Sequence, residues 1–167
     1  MGGVLRHSFK ETVMLTVRRA THEDAVDMAP RLRQADLREL QAVGRKDPLE
    51  ALLVGVDSPD PCFVAVDAQD KPQIIWGTCP SDEPYLGYVW MMATDAIKDH
   101  WVQILRETRP YLARIREHYR VLANAVHAEN QVHIRWLKWA GFTFLREFDF
   151  NGHRFYEFAK LIPLEGR

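Results

Sequence analysis

Two histidines late in the chain are of a type and spacing that could move protons. His127 closes the alternating run VLANAVHA, and His133 follows inside NQVHIRWLKWAGF. An imidazole titrates near neutral pH and can give or take a proton. Asn130 precedes His133 by three residues, the spacing at which an Asn side chain caps a helix. A second stretch, TDAIKDHWV from Thr94 to Val102, leads into the longest amphipathic segment. The unpaired N–H groups of that helix start, near His100 and Trp101, are of the kind that binds an anion, with Lys98 beside them. Asp95 and Asp99 oppose that charge. Cys62 and Cys79 are the only cysteines, too few for a disulfide framework or a four-cysteine zinc site. No histidine pair has the HExxH spacing of a zinc protease. Arg106, Arg109, Arg114, Arg116 and Arg120 are interspersed with Glu107 and Glu117, which reads as a solvated face; a phosphate- or partner-binding strip is the alternative.

The elements that must position these residues belong to one ordinary domain. The chain has 167 residues, 47% of them hydrophobic and 27% charged, the balance of a globular fold. Its net charge of −1 lacks the electrostatic footprint of a general nucleic-acid binder. No apolar run reaches the ~20 residues that span a bilayer, and the start has no signal-like apolar core. The reading is an intracellular, reduced, cytoplasmic protein. Residues 1–14 are expected to be a flexible tail, with Met14 an alternative start, residues 15–162 one domain, and 163–167 a short tail.

Leu15–Arg19 alternates as a half-buried strand, and Thr21 with Asp24 forms a capping-box signal for a helix that Pro30 must interrupt. Leu49–Val56 reads as a short helix. Cys62–Asp67 and Gln73–Cys79 read as a hairpin. Tyr85–Thr94 is an almost unbroken apolar run, as in a strand buried on both faces. Trp101–Tyr119 carries apolar positions on one helical face, with Pro110 inside it expected to kink it. Val121–Ala128 is a strand. A helix from about Asn130 to Trp139 closes at Gly141, and Asn151–Gly152 joins two aromatic-rich strands as a tight hairpin. The middle strand–helix–strand unit predicts a parallel pair, and the whole an α/β (α+β) fold with a mixed sheet of six to seven strands and about four helices.

This order, with NQVHIRWLKWAGF placed late, resembles the GNAT fold of acyl-CoA-dependent N-acyltransferases over about residues 15–162. Family members open the late helix with Asn, then carry a small residue three on, a Tyr seven on, and Gly-Phe eleven and twelve on. Asn130, Gly141 and Phe142 match; His133 replaces the small residue and Leu137 the Tyr. WMMATDAIKDHW and the run from Asn130 to Leu137 are also similar to small GNAT-like proteins of short-tailed bacteriophages, of the internal virion protein A type.

The resemblance implies acetyl-CoA as cofactor and direct attack of an amine on its thioester, in the gap between Tyr88–Ala93 and Val121–Val126. It implies that the pantetheine arm pairs with the backbone of Met91, Met92 and Ala93, that Lys98, His100 and Trp101 stand where the diphosphate is held, and that Asn130 reaches the cofactor. The family's glycine-rich phosphate loop is absent from TDAIKDHWV, and its Tyr acid is absent at Leu137. His127 is then the candidate catalytic residue, with His133 as a further imidazole. The alternative implied by the phage likeness is an inactive GNAT-like protein that acts in virion core assembly or binds a phage or host protein.

Overall fold

A computed structural model describes residues 14–115 and 118–163. Apart from Met14 and Pro163, the expected tails lie outside the described residues. Strand β1 (Thr16–Arg19) leads to helix α1 (His22–Met28), whose capping box forms: the Asp24 amide donates to Thr21 Oγ1 at 3.3 Å, and the Thr21 amide donates to Asp24 Oδ2 at 2.9 Å. Pro30 has no N–H to continue the helix, so a 3-10 turn over Ala29–Arg31 precedes α2 (Gln34–Ala42). Asp47 caps α3 (Pro48–Val56). Strands β2 (Cys62–Val66), β3 (Pro72–Pro80) and β4 (Leu86–Ala93) form an antiparallel meander. Helix α4 (Trp101–Ile115) crosses to β5 (Val121–His127), α5 (Gln131–Trp139) follows, and β6 (Thr143–Phe150) and β7 (His153–Leu161) close the chain.

All seven strands make one sheet in the order β1-β2-β3-β4-β5-β7-β6. Among the described residues its only parallel pair, β4 with β5, is the one expected around the long helix. Asn151 and Gly152 both take positive φ, 50° and 77°, as a type I′ hairpin demands. Gly141 ends α5 at φ 88°.

Three expectations change. Strand β1 is the sheet's edge, so it is mostly exposed rather than half-buried. Helix α4 ends at Ile115 among the described residues, and Tyr119 instead packs its ring on Gly87, where a Cβ would meet it at 2.7 Å. Strand β4 is fully buried on one face only. Gly87, Val89, Met91 and Ala93 are buried, toward α4 and α5, whereas Tyr88, Trp90 and Met92 stay partly open on the face toward α1–α3. The apolar run was long enough for a strand covered twice, but its second face floors a cleft.

Candidate functional site

The site begins where β4 and β5 part. They pair only over Leu86–Tyr88 and Val121–Ala123, then diverge. Asn124 stitches the vertex: its Nδ2 donates to the Val89 carbonyl at 2.9 Å, and its Oδ1 accepts the Ala125 amide at 2.8 Å. Backbone groups alternate sides along an antiparallel strand. The Thr94 amide bonds β3 at Gln73, so the polar groups of Ala93, and by alternation those of Met91, face the opening gap.

The wide end of the gap is occupied by the start of α2. Asp36 Oδ2 accepts the Ala93 amide at 2.9 Å, and the Arg33 amide donates to the Ala93 carbonyl at 2.9 Å. The Arg33 guanidinium forks onto both Asp36 oxygens at 2.8 Å and reaches Asn130 Oδ1 at 3.2 Å. Asn130 Nδ2 donates to Glu39 Oε2 at 2.8 Å. A buried ion pair is tolerated when further hydrogen bonds satisfy its members, and here Asn130 and the Ala93 amide supply them. Glu39, one turn beyond Asp36, has no ion-pair partner among the described residues. Burial pushes its carboxyl up to about 7, aided by the Asp36 charge and opposed by the Asn130 bond and Arg33.

Beside this network lies a cleft of about 590 Å³ between α2, α3, the open face of β4 and the terminal hairpin. Its lining includes Glu39, Leu40, Met91, Met92, Phe148 and Phe155. That size suits a small molecule. His133 lines it as well, with Nδ1 buried and unpartnered, and burial holds the ring neutral, with its pKa down to about 4.

The expected site residues separate into groups. Met91 presents its backbone to the gap. Met92 by the same alternation faces β3, and Ala93 is spent on Arg33 and Asp36. Asn130 is 2% exposed; it caps α5 by accepting the His133 amide at 3.4 Å, and both its side-chain atoms bond protein groups. His127 is buried at the end of β5, its Nδ1 accepting the Glu129 amide at 3.2 Å and its Nε2 lying 3.0 Å from His153 Nδ1. Its backbone, rather than its ring, approaches Glu39. Burial lowers the His127 pKa.

Lys98 is exposed at the end of a 3-10 turn over Asp95–Lys98 that leads toward α4. Within this turn the amides of Ala96, Ile97 and Asp99 are bonded to Thr94 or Ala96, and the Ile97 side chain is fully buried. His100 carries a buried, unpartnered Nδ1, and partly buried Trp101 opens α4 against the core. Leu137, in the place of the family's Tyr, is fully buried. Cys62 is buried and Cys79 partly so. Trp136 is buried with its Nε1 on Thr108 Oγ1 at 2.8 Å, while Trp139 lies under Arg109.

Two different surfaces stand where the resemblance would place coenzyme A. The Met91 edge and the gap suit a thioester arm, because backbone pairing ignores side-chain identity. The turn after β4 suits a diphosphate poorly, because the amides of Ala96, Ile97 and Asp99 are already bonded and it contains no glycine to let phosphates approach. Sequence reasoning missed Arg33, Asp36 and Glu39. The available signal was Asp36 and Glu39 at i and i+3, beside buried Leu40, which puts carboxylates on a core-facing side of α2.

Comparison with known proteins bears on the fold. No protein-family model matches the chain, and no curated protein does. Solved structures match over most of its length. A GNAT-family acetyltransferase from Streptococcus pneumoniae is 16% identical, with a TM-score of 0.60 over 89% of this chain and 99% of that one. A GCN5-related N-acetyltransferase from Kribbella flavida is 17% identical, with a TM-score of 0.66 over 89% and 98%. AAC(6')-Ib, solved in complex with parmomycin and acetyl-CoA, is 12% identical, with a TM-score of 0.64 over 89% and 93%. The mixed seven-stranded sheet is thus the GNAT fold.

Proposed function

We propose that this GNAT-fold chain is an N-acyltransferase that takes its amine acceptor in the cleft beside the β4–β5 gap. The observation that carries the proposal is the Glu39 carboxyl, set in the wall of that cleft with a pKa of about 7. A general base works best when its pKa lies near the working pH. Acetyl-CoA, when bound, supplies a thioester carbonyl that the amine attacks with loss of the thiolate. Glu39 takes the proton that the ammonium must shed first. Asn130 holds the carboxylate in place through Oε2. The Met91 backbone pairs with the donor's arm, and the aromatic walls exclude water from the acceptor nitrogen. Lys98, His100 and Trp101 contribute at most a local field at the start of α4. His127 acts through its backbone beside Glu39, and its ring serves the contact with His153.

A second reading is a non-catalytic GNAT-like protein with a structural or protein-binding role, as the phage likeness implies. The capped Ala93 edge and the saturated Asn130 favour it.

One assay separates the two. A panel of primary amines is incubated with acetyl-CoA and with S-acetyl-N-acetylcysteamine, which has the thioester arm and no diphosphate. Amide formation from both donors, at rates within about tenfold, is expected, because the turn after β4 adds no diphosphate contact. Loss in Glu39→Gln supports the base. No thiol release from either donor with any amine overturns acyl transfer.

A further inference from the structure

We propose that the acceptor cleft is built for a primary amine on an aromatic body, an arylalkylamine, rather than for a polyamine or an acid. This deepens the reading of the cleft as the acceptor site, and rests on it.

The walls are the first observation. Tyr88, Trp90 and Met92 come from the open face of β4, and Phe148, Phe150 and Phe155 from the hairpin. Phe148 and Phe155 stack at 5.9 Å with 21° between their planes. Tyr88 is 43% exposed and Phe150 47% exposed, although both line a concavity. Exposed aromatics are costly unless something apolar covers them. A planar aromatic body covers such faces at low entropic cost.

The charge pattern is the second. Among the described residues the Glu39 carboxyl has an amide partner and no ion pair, because Arg33 is committed to Asp36 through both oxygens. A ligand ammonium supplies the missing charge and forms a charge-assisted hydrogen bond. Neutral His133, 7% exposed, lines the same cleft with an unpartnered Nδ1 and adds no opposing charge. Asp36, already paired with Arg33, also lines the cleft, as do Cys79 and Tyr88, and the cation among the lining residues is Arg45, exposed on the loop after α2. Arg45 repels the far end of a diamine. A ligand carboxylate would meet Glu39 at the inner end. One cation-seeking end and one aromatic end therefore define the occupant.

Calorimetry without any acyl donor tests this, using 2-phenylethylamine, butane-1,4-diamine and phenylacetate. The arylalkylamine is expected to bind at least about tenfold tighter than either of the others. The charged groups that act on Glu39 are Asp36 and Arg33, paired together; neutral His133 and exposed Arg45 line the same cleft. Glu39 is mostly protonated at pH 6, so binding there releases close to one proton, read as a buffer-dependent heat, and releases little at pH 8. Glu39→Gln should remove the proton release and weaken binding about tenfold or more. Phe150→Ser, an exposed change that leaves the core intact, should weaken binding without altering the proton count. Equal or tighter binding of the diamine or the acid overturns the proposal, as does unchanged affinity in both variants. Binding without acyl transfer to this amine or any other would refute the enzyme reading alone; transfer to other amines without arylalkylamine binding would refute this inference alone.

Discussion

The carboxylate of Asp36 accepts the backbone amide of Ala93 at 2.9 Å, so a side chain from α2 completes the edge of a strand 57 residues away. In doing so it closes the wide end of the β4–β5 gap. The closure depends on Arg33, which holds Asp36 by both oxygens and caps the Ala93 carbonyl with its own amide.

Removing Arg33 should therefore be costly. Arg33→Met leaves a buried carboxylate without its cation, an effect of about 3–5 kcal/mol. Arg38→Met breaks the exposed pair with Glu129 at 3.0 Å and should cost less than about 1 kcal/mol. Urea unfolding of both variants makes the comparison; equal losses would show that Arg33 and Asp36 do not form a buried unit.

Glu39 should make stability fall as the solution becomes alkaline. Its folded pKa of about 7 lies above the ordinary 4.5, so the folded state holds the proton more tightly. That contribution is complete below about pH 4.5 and is lost as pH rises through 7. Between pH 5 and 8 the stability of Glu39→Gln should gain on the parent protein by on the order of 2 kcal/mol. Denaturation at the two pH values measures it, and a constant difference would mean that Glu39 titrates normally.

His133 should act at the other end of the scale. Its folded pKa of about 4 is below the ordinary 6.5, so its contribution is present above 6.5 and is lost as pH falls toward 4. In a proton NMR titration its ring signals should stay those of neutral imidazole at pH 5.5, where an exposed histidine is charged. A midpoint near 6.5 would place the ring in water.

Gly55 should resist the replacement that helix propensity recommends. Alanine in a helix interior is normally better than glycine by about 1 kcal/mol. In α3 a Cβ at position 55 would lie 2.2 Å from Trp90 Cζ2. Gly55→Ala should instead destabilise by about 1–3 kcal/mol and change the Trp90 fluorescence. A stabilised variant with an unchanged spectrum would show that the ring moves freely.

Much of the architecture was legible in local patterns. Thr21 with Asp24, Pro30, Asn130 with Gly141, and Asn151 with Gly152 each place an element boundary through backbone chemistry that acts within a few residues. The apolar run of β4 and the amphipathic α4 made the parallel crossover expected. The GNAT resemblance located the gap, and the missing glycines of TDAIKDHWV already pointed to a turn without a phosphate cradle.

The site was less legible, because its chemistry depends on separations the chain cannot show locally. The sequence alone determined that Asn130 caps a helix and that Leu137 can donate no proton. Only the tertiary structure decided that Asn130 spends its remaining atoms on Arg33 and Glu39, more than ninety positions away. It also decided that β4 opens one face to a cleft and that Glu39, rather than the His127 ring, lines it. The reason is physical: capping and turn formation depend on neighbours in sequence, whereas desolvation and the pKa shift it causes depend on what the fold packs around a group.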